Sequence, residues 1–181
     1  SGNGPSAAAI MAKIKSAASQ KRALIPVGNG TYSHYGNTTE QNAVLLPSSS
    51  LADVIEYDPP NQVITVGAGI TLARLQEALG THNQWLPLRP PFATMQHSLG
   101  GLAATAACGP ERMVYGSVRD LLLGLRFVNG RGQLISAGGR VVKNVAGYDI
   151  TRLMVGSEGT LGIVTRAVLR LRPAPRSRNT A

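Results

Sequence analysis

Aromatic residues and cysteine are scarce in this chain. One Trp, five Tyr and two Phe occur among its 181 residues. A core must therefore be packed mainly from Leu, Val, Ile and Ala, and a hydrophobic share of 43% is enough for a globular domain. The single cysteine, Cys108, excludes an intrachain disulfide and gives no sign of an oxidising compartment. We expect Cys108 to pack as a small buried hydrophobe.

Long hydrophobic runs are also missing. No apolar segment approaches the roughly 20 residues that a membrane-spanning helix needs, and Ser1–Ala9 lacks the basic region that opens a signal peptide. We therefore expect a cytoplasmic protein. The three histidines, His34, His82 and His97, stand far apart in neutral surroundings, without the spacing of a metal site. We predict that no metal is bound.

Acidic residues are few, and the balance of 18 basic against 9 acidic residues gives a net charge of +9. A basic protein of this kind favours an anionic partner. The basic residues form no run with interleaved aromatic residues, which argues against nucleic acid. A non-specific nucleic-acid binder stays open as an alternative because basic residues recur along and beyond the last predicted strand: Arg166, Arg170, Arg172, Arg176 and Arg178.

Hydrophobic periodicity predicts helices and strands in mixed order. Apolar residues at helical spacing predict a helix over residues 7–19, and Thr71 is a suitable N-cap for a second helix that stops at Gly80. Short apolar or alternating runs predict strands. These strands cover Ala23–Val27, Ala43–Leu46, Val54–Tyr57, Gln62–Val66, Asp120–Val128, Gln133–Ser136 and Gly162–Leu171. Because strands occur both in hairpins and after helices, we predict an α+β fold rather than a doubly wound sheet.

The most informative segment runs from Tyr148 to Thr165. A short helical pattern ends at Gly156, a loop follows through Glu158 and Gly159, and a β-branched strand comes next. Glycines around one acid and two hydroxyls let the backbone approach a flat ligand closely. This composition is poor for a core and suited to the wall of a cofactor site.

Two further glycine-containing segments are candidates for binding an anion. Pro26–Thr31 follows a strand, and its glycines allow backbone N–H groups to point at one side; an ordinary turn is the alternative. Gly100 and Gly101 begin a predicted helix of small residues, which favours either a phosphate seat or tight helix packing. Ser117 could donate to a phosphate while Asp120 orders the loop; the alternative is that both residues simply cap a turn.

These segments together resemble the flavin domain of vanillyl-alcohol-oxidase-type oxidoreductases, the PCMH-type FAD-binding domain. The Gly156–Thr165 block carries this wider resemblance. The Gly138–Asp149 block is similar to the smaller FAD-binding subunit of bacterial glycolate oxidase, and the chain also resembles D-lactate and D-2-hydroxyacid dehydrogenases. The resemblance implies two α+β lobes with FAD between them over residues 1–175, and a linker at 176–181 leading to a substrate or cap domain.

The resemblance also implies which residues contact FAD. They are Pro26, Val27, Gly28, Asn29, Gly30, Thr31, Pro91, Thr94, His97, Gly100, Gly101, Thr105, Cys108, Ser117, Asp120, Tyr148, Glu158, Gly159, Thr160, Gly162, Ile163 and Val164. The stretch from Glu158 to Val164 is expected to contact FAD mostly through backbone atoms. Some relatives attach FAD covalently through a histidine at the position of Thr31, so this chain is expected to bind FAD non-covalently. The chain departs from the family at Asn29, where glycine is commoner, at Tyr32, where serine is common, and at Cys108, where a hydroxyl is usual.

The implied function is an FAD-dependent oxidoreductase that oxidises a small 2-hydroxy acid such as glycolate or D-lactate. A larger flavin subunit and an iron–sulfur subunit are the implied protein partners. No catalytic base can be assigned, and we expect little turnover from this chain alone. The remaining alternative is a non-catalytic module that keeps the FAD fold and serves as an interface in a complex.

Overall fold

The computed structural model describes residues 5–35, 42–91, 96–139 and 149–175, with side chains from Ala7 onwards. The described helices are α1 Pro5–Ser19, α2 Leu72–Gly80, α3 Leu99–Thr105, α4 Arg112–Tyr115, α5 Val118–Leu121 and α6 Ile150–Met154. The described strands are β1 Leu24–Val27, β2 Val44–Pro47, β3 Val54–Asp58, β4 Val63–Gly67, β5 Gln84–Trp85, β6 Leu122–Val128, β7 Leu134–Gly138, β8 Ile163–Arg170 and β9 Arg172–Pro173.

A five-stranded antiparallel sheet is the largest unit, with the strand order β3-β4-β8-β6-β7. Strands β1 and β2 form a separate parallel pair, and β5 pairs with β9. Antiparallel hairpins next to helices make the fold α+β, as the sequence predicted.

The main core lies where α2 and α3 pack on one face of this sheet. Leu75 and Leu79 from α2, Leu102 from α3, and Leu169 from β8 are all completely buried. Helix α2 buries one face because its leucines recur at helical spacing, and the Thr71 side chain caps its first turn by accepting from the Arg74 amide at 3.2 Å. Burial of each leucine contributes about 1.5–3 kcal/mol.

A smaller core joins the β1–β2 pair to the end of the large sheet. Ile10 and Ile14 of α1 pack there with Leu46 of β2, Val128 of β6 and Ile163 of β8. Helix α1 therefore bridges the two sheets, and β1 is held close to the start of β8. This proximity brings the loops that follow β1 and precede β8 to one side of the molecule.

The sequence pattern located most elements to within one or two residues, the start of β6 included. The predicted strand Asp120–Val128 begins only at Leu122, because Ser117 and Asp120 cap the short helix α5. Bulges at Leu122/Gly124 and Arg126/Phe127 also interrupt the alternation that the leucines suggested. Helix α4 and the strand pair β5–β9 were not predicted, since elements of two to four residues carry almost no periodic signal.

Among the helices of the described ranges, none has the length and apolarity to cross a bilayer. Within those same ranges no group of three or more His, Cys, Asp or Glu residues is arranged to hold a metal ion.

Candidate functional site

The first glycine loop begins where strand pairing stops. The parallel ladder of β1 and β2 ends at Val27 and Pro47, and the chain then turns, with the Ser33 amide donating to the Gly30 carbonyl at 3.1 Å. Gly30 has a φ of +76°, which glycine adopts without strain. Among the residues that the structure describes, none accepts a hydrogen bond from the amides of Asn29, Gly30 or Thr31. The loop thus presents several backbone donors that bond to no acceptor within the described ranges.

This loop is tied to the turn that precedes α3. The Asn29 side-chain amide donates to the Gln96 carbonyl at 2.9 Å, and Gly28 packs directly on Ser98, whose hydroxyl would overlap any Cβ at position 28. Asn29 is therefore a link between two segments 67 residues apart in sequence. Its replacement of the glycine that is common in the family was the only sequence signal for this role.

The beginning of α3 differs from the predicted phosphate seat. The Leu99 amide donates to the Ile70 carbonyl at 2.9 Å, and the Gly100 amide donates to the Ala68 carbonyl at 2.7 Å. The Gly101 amide donates to the Ser98 hydroxyl at 3.2 Å. Because all three donors are already bonded, an anion cannot be seated on them without displacing these partners.

Close packing explains the two glycines of α3 instead. A Cβ at Gly100 would lie 3.1 Å from the Ala68 carbonyl oxygen, and a Cβ at Gly101 would lie 3.1 Å from the Ser98 hydroxyl and 3.5 Å from the Tyr32 ring. The packing alternative is therefore the one that the geometry supports for Gly100 and Gly101.

The loop before β8 lies between α3 and the first loop. The Gly156 amide donates to the Ala103 carbonyl at 2.9 Å, and the Glu158 amide donates to the Ala104 carbonyl at 2.8 Å. A Cβ at Gly159 would lie 3.0 Å from Pro26 Cγ, which places this loop directly against the end of β1. The sequence predicted these two loops as parts of one site, and the fold brings them together.

Four residues around this junction have left-handed backbone. Gly156 and Gly159 have φ values of +81° and +79°, and two residues with side chains, Ala106 and Glu158, have φ values of +54° and +52°. A non-glycine residue in this region costs roughly 1–2 kcal/mol. Such strain is typical of functional sites, where the surrounding structure holds a conformation that the chain alone would avoid.

Several predicted contact residues already use their side chains within the protein. The Thr105 hydroxyl donates to the Gly101 carbonyl at 2.8 Å, and the Thr160 hydroxyl donates to the Ser157 carbonyl at 2.7 Å. Ile163 and Val164 are 7% and 8% exposed and pack in the two cores. Little of either side chain is therefore exposed, and contact of Ile163 and Val164 with a cofactor stays a prediction.

His97 and Cys108 occupy different environments from those expected. His97 is completely buried, and its ring stacks on Tyr32 with centroids 5.0 Å apart and planes inclined by 30°. The His97 carbonyl accepts from the Leu72 amide at 2.9 Å. Cys108 is a free thiol that is only half-buried, so the prediction of a buried hydrophobe was wrong. It follows α3 in irregular backbone.

Ser117 and Asp120 form a capping box at the start of α5. The Ser117 amide and the Ser117 hydroxyl each donate to Asp120 Oδ2 at 2.8 Å. The backbone hydrogen bond and then the hydroxyl hydrogen bond from Ser117 lower the pKa of Asp120, and the nearby guanidiniums of Arg152 and Arg119 act in the same direction. The geometry thus shows the capping alternative, and the hydroxyl proton of Ser117 is occupied.

The structure therefore assembles part of the predicted set. Pro26–Thr31, Gly156–Thr160 and the carboxyl end of α3 meet at one junction, whereas Ser117 and Asp120 stabilise a separate turn and Pro91 is an exposed residue. Thr94 and Tyr148, with the rest of 92–95 and 140–148, lie outside the described residues.

Comparison with known proteins gives consistent relatives. A family model described as FAD binding domain matches residues 5–138. The chain is 37% identical over 169 residues to glycolate oxidase subunit GlcE of Escherichia coli (strain K12), covering 93% of this chain and 48% of that protein. It is also 37% identical over 155 residues to D-lactate dehydrogenase of Archaeoglobus fulgidus, covering 84% of this chain and 34% of that protein. The chain thus spans about half or less of these relatives.

A solved structure of alkyldihydroxyacetonephosphate synthase shares the fold, with a TM-score of 0.77 over 93% of this chain and 30% of that one, at 24% identity. The architecture expected from the resemblance is thereby confirmed. Because the family match covers most of its length, this chain belongs to the FAD binding domain family.

Proposed function

We propose that this chain is the FAD-binding part of an oxidoreductase that oxidises a small 2-hydroxy acid such as glycolate or D-lactate. The proposal that FAD is the cofactor rests on the backbone amides of Asn29, Gly30 and Thr31, which have no acceptor among the described residues. The substrate half rests on what the relatives are named for, glycolate oxidase and D-lactate dehydrogenase.

The residues at the junction fit the pyrophosphate of FAD. Two or three successive amides in a loop form a concave donor surface for an anion. The absence of a side chain at Gly28 and at Gly159 lets this loop pack closely on Ser98 and lets the loop before β8 pack closely on Pro26. We assign Gly28, Asn29, Gly30 and Thr31 to the pyrophosphate, with Gly159 and Thr160 forming the opposite wall. The net charge of +9 favours the same dianionic group.

When bound, FAD supplies the hydride-accepting chemistry, and the protein supplies binding, orientation and electrostatics. Thr31 stands where some relatives carry a histidine that links FAD covalently, so this chain binds FAD non-covalently. No side chain of the described ranges is assigned as a general base, which agrees with a chain that covers less than half of its relatives' length. A larger flavin subunit and an iron–sulfur subunit are the proposed partners.

The test is a visible spectrum of the purified chain after incubation with FAD and desalting. We expect a retained flavin band that shifts from that of free FAD, and we expect acid precipitation to release all flavin into the supernatant. ADP should compete for the site because it carries the pyrophosphate, and riboflavin should compete poorly because it does not. A colourless protein at micromolar FAD, or equal competition by riboflavin and ADP, would count against the assignment.

The substrate class needs a separate measurement. Anaerobic bleaching of the flavin band by D-lactate or glycolate, in the protein assembled with its full complement of subunits, is the expected result. The enantiomer L-lactate is the matched control. Failure of both acids to bleach a protein that retains FAD would overturn the substrate and leave the cofactor site intact.

A further inference from the structure

The aromatic residue directly after the first glycine loop has a position that the sequence did not explain. Tyr32 stands where serine is common in the family, and its ring lies over the start of α3. Its centroid is 5.0 Å from that of His97, and a Cβ at Gly101 would lie 3.5 Å from ring atom Cδ2. The glycine at 101 therefore leaves room for this ring.

Two rings contact that of Tyr32, and they differ in how firmly the fold fixes them. His97 is completely buried, whereas Tyr35 is 48% exposed and meets the Tyr32 ring only edge-to-face, at 5.4 Å with planes at 85°. The Tyr32 hydroxyl is buried and has no partner of ordinary hydrogen-bonding geometry among the described residues, although Thr105 lies beside it. Burial raises the pKa of the Tyr32 hydroxyl above its ordinary value of 10.0, at which a tyrosine is already uncharged at neutral pH.

These contacts connect the loop to a fixed part of the fold. His97 sits on the turn anchored by the hydrogen bond between its carbonyl and the Leu72 amide at 2.9 Å, and Tyr32 follows Thr31 without an intervening residue. Stacking on His97 therefore restricts the position of the Gly28–Thr31 amides relative to α3. Restricting a loop in its binding conformation improves affinity by removing the ordering cost from the binding step.

We propose that Tyr32 is a positioning residue, whose ring stacks on His97 and holds the Gly28–Thr31 loop in the conformation that receives the FAD pyrophosphate. This inference rests on the proposed cofactor site. The Tyr32 ring, and not its hydroxyl, restricts the loop. This role differs from the hydrogen bond that a serine at the same position could make.

The first measurement compares FAD dissociation constants of Tyr32→Ala, Tyr32→Phe and Tyr35→Ala at a temperature where all three are folded. Loss of one aromatic stack corresponds to a change of about three- to tenfold in affinity. We expect Tyr32→Ala to weaken FAD binding by this factor, Tyr32→Phe to match the wild type, and Tyr35→Ala to change affinity by less than about twofold. Tyr32→Leu replaces the alanine variant if the latter does not fold.

The second measurement requires no cofactor. The Ser33 amide donates to the Gly30 carbonyl and the Gly101 amide to the Ser98 hydroxyl, so hydrogen exchange at these two amides reports on the loop and on its contact with α3. We expect faster exchange at both in Tyr32→Ala than in Tyr35→Ala, and wild-type exchange in Tyr32→Phe.

Three outcomes separate the inference from the proposed function. Equal exchange in the two alanine variants overturns the role of Tyr32, whether or not FAD binds. A wild-type protein that binds no FAD, but shows the expected exchange pattern, removes the proposed function while the loop-holding role stands. A weakened affinity in Tyr32→Phe equal to that of Tyr32→Ala also overturns the inference, because it places the effect in the hydroxyl.

Discussion

Substitution of Gly28 by alanine tests the contact that holds the first loop against the turn before α3. The backbone at Gly28 has no positive φ, so alanine meets no conformational penalty there, but its Cβ would overlap the Ser98 hydroxyl and lie 3.1 Å from Ser98 Cβ. Ser98 is 2% exposed and cannot move outward. Its hydroxyl accepts from the Gly101 amide and caps α3. The new methyl must therefore displace the cap.

Two contributions add in this variant. Loss of an N-cap costs about 1 kcal/mol, and overpacking of a buried site costs about 1–3 kcal/mol. We expect Gly28→Ala to lower the free energy of unfolding by about 2–4 kcal/mol, measured by urea denaturation without cofactor. Gly130→Ala is the matched control, because nothing lies within 4 Å of its Cβ position and its φ is not positive. It should leave stability unchanged or raise it slightly.

A double-mutant cycle identifies the partner. Ser98→Ala alone removes the cap and costs about 1 kcal/mol. In the double variant the methyl at position 28 no longer meets an oxygen, so its cost should be smaller than the sum of the single costs by about 1–2 kcal/mol. Strict additivity, or a Gly28→Ala variant as stable as Gly130→Ala, would refute the packing argument for this loop.

Three further variants probe neighbouring features. Asp120→Asn should destabilise the protein at pH 5–7. Because the folded pKa of Asp120 lies below its ordinary value of 3.8, the difference in stability between variant and wild type should disappear as pH falls through that lowered pKa. A difference in urea midpoints that does not change with pH would contradict this. Leu102→Ala, at a completely buried position, should cost about 2–5 kcal/mol in the same assay, and a cost below 1 kcal/mol would show a looser core. Gly159→Ala should cost about 1–2 kcal/mol of stability and weaken FAD retention, because φ is +79° and the new Cβ would press on Pro26. Its control is Gly80→Ala, which has open space at its Cβ and should stabilise the protein by about 0.5–1 kcal/mol.

The sequence alone determined the elements that repeat a simple period over enough residues. Helix α2 with its Thr71 cap, the β3–β4 hairpin and the alternating strand β8 all follow from local spacing. The same local reasoning located the glycine loops after β1 and before β8, because glycine and hydroxyl residues at a strand end are informative without tertiary context. Short elements such as α4 and β5 were missed because they contain only about one period, which is too little for a repeat to be recognised.

Tertiary structure decided which of the candidate residues share a site and which donors remain available. Gly100 and Gly101 suit a phosphate seat or close packing equally well in sequence, and only the bonds of their amides to Ala68 and Ser98 distinguish the two. The contact of Gly159 with Pro26 joins residues 133 positions apart through the packing of β8 beside β1, which no local pattern encodes. Periodicity is a property of neighbouring residues, whereas the use of a hydrogen-bond donor depends on whichever distant segment the folded chain places beside it.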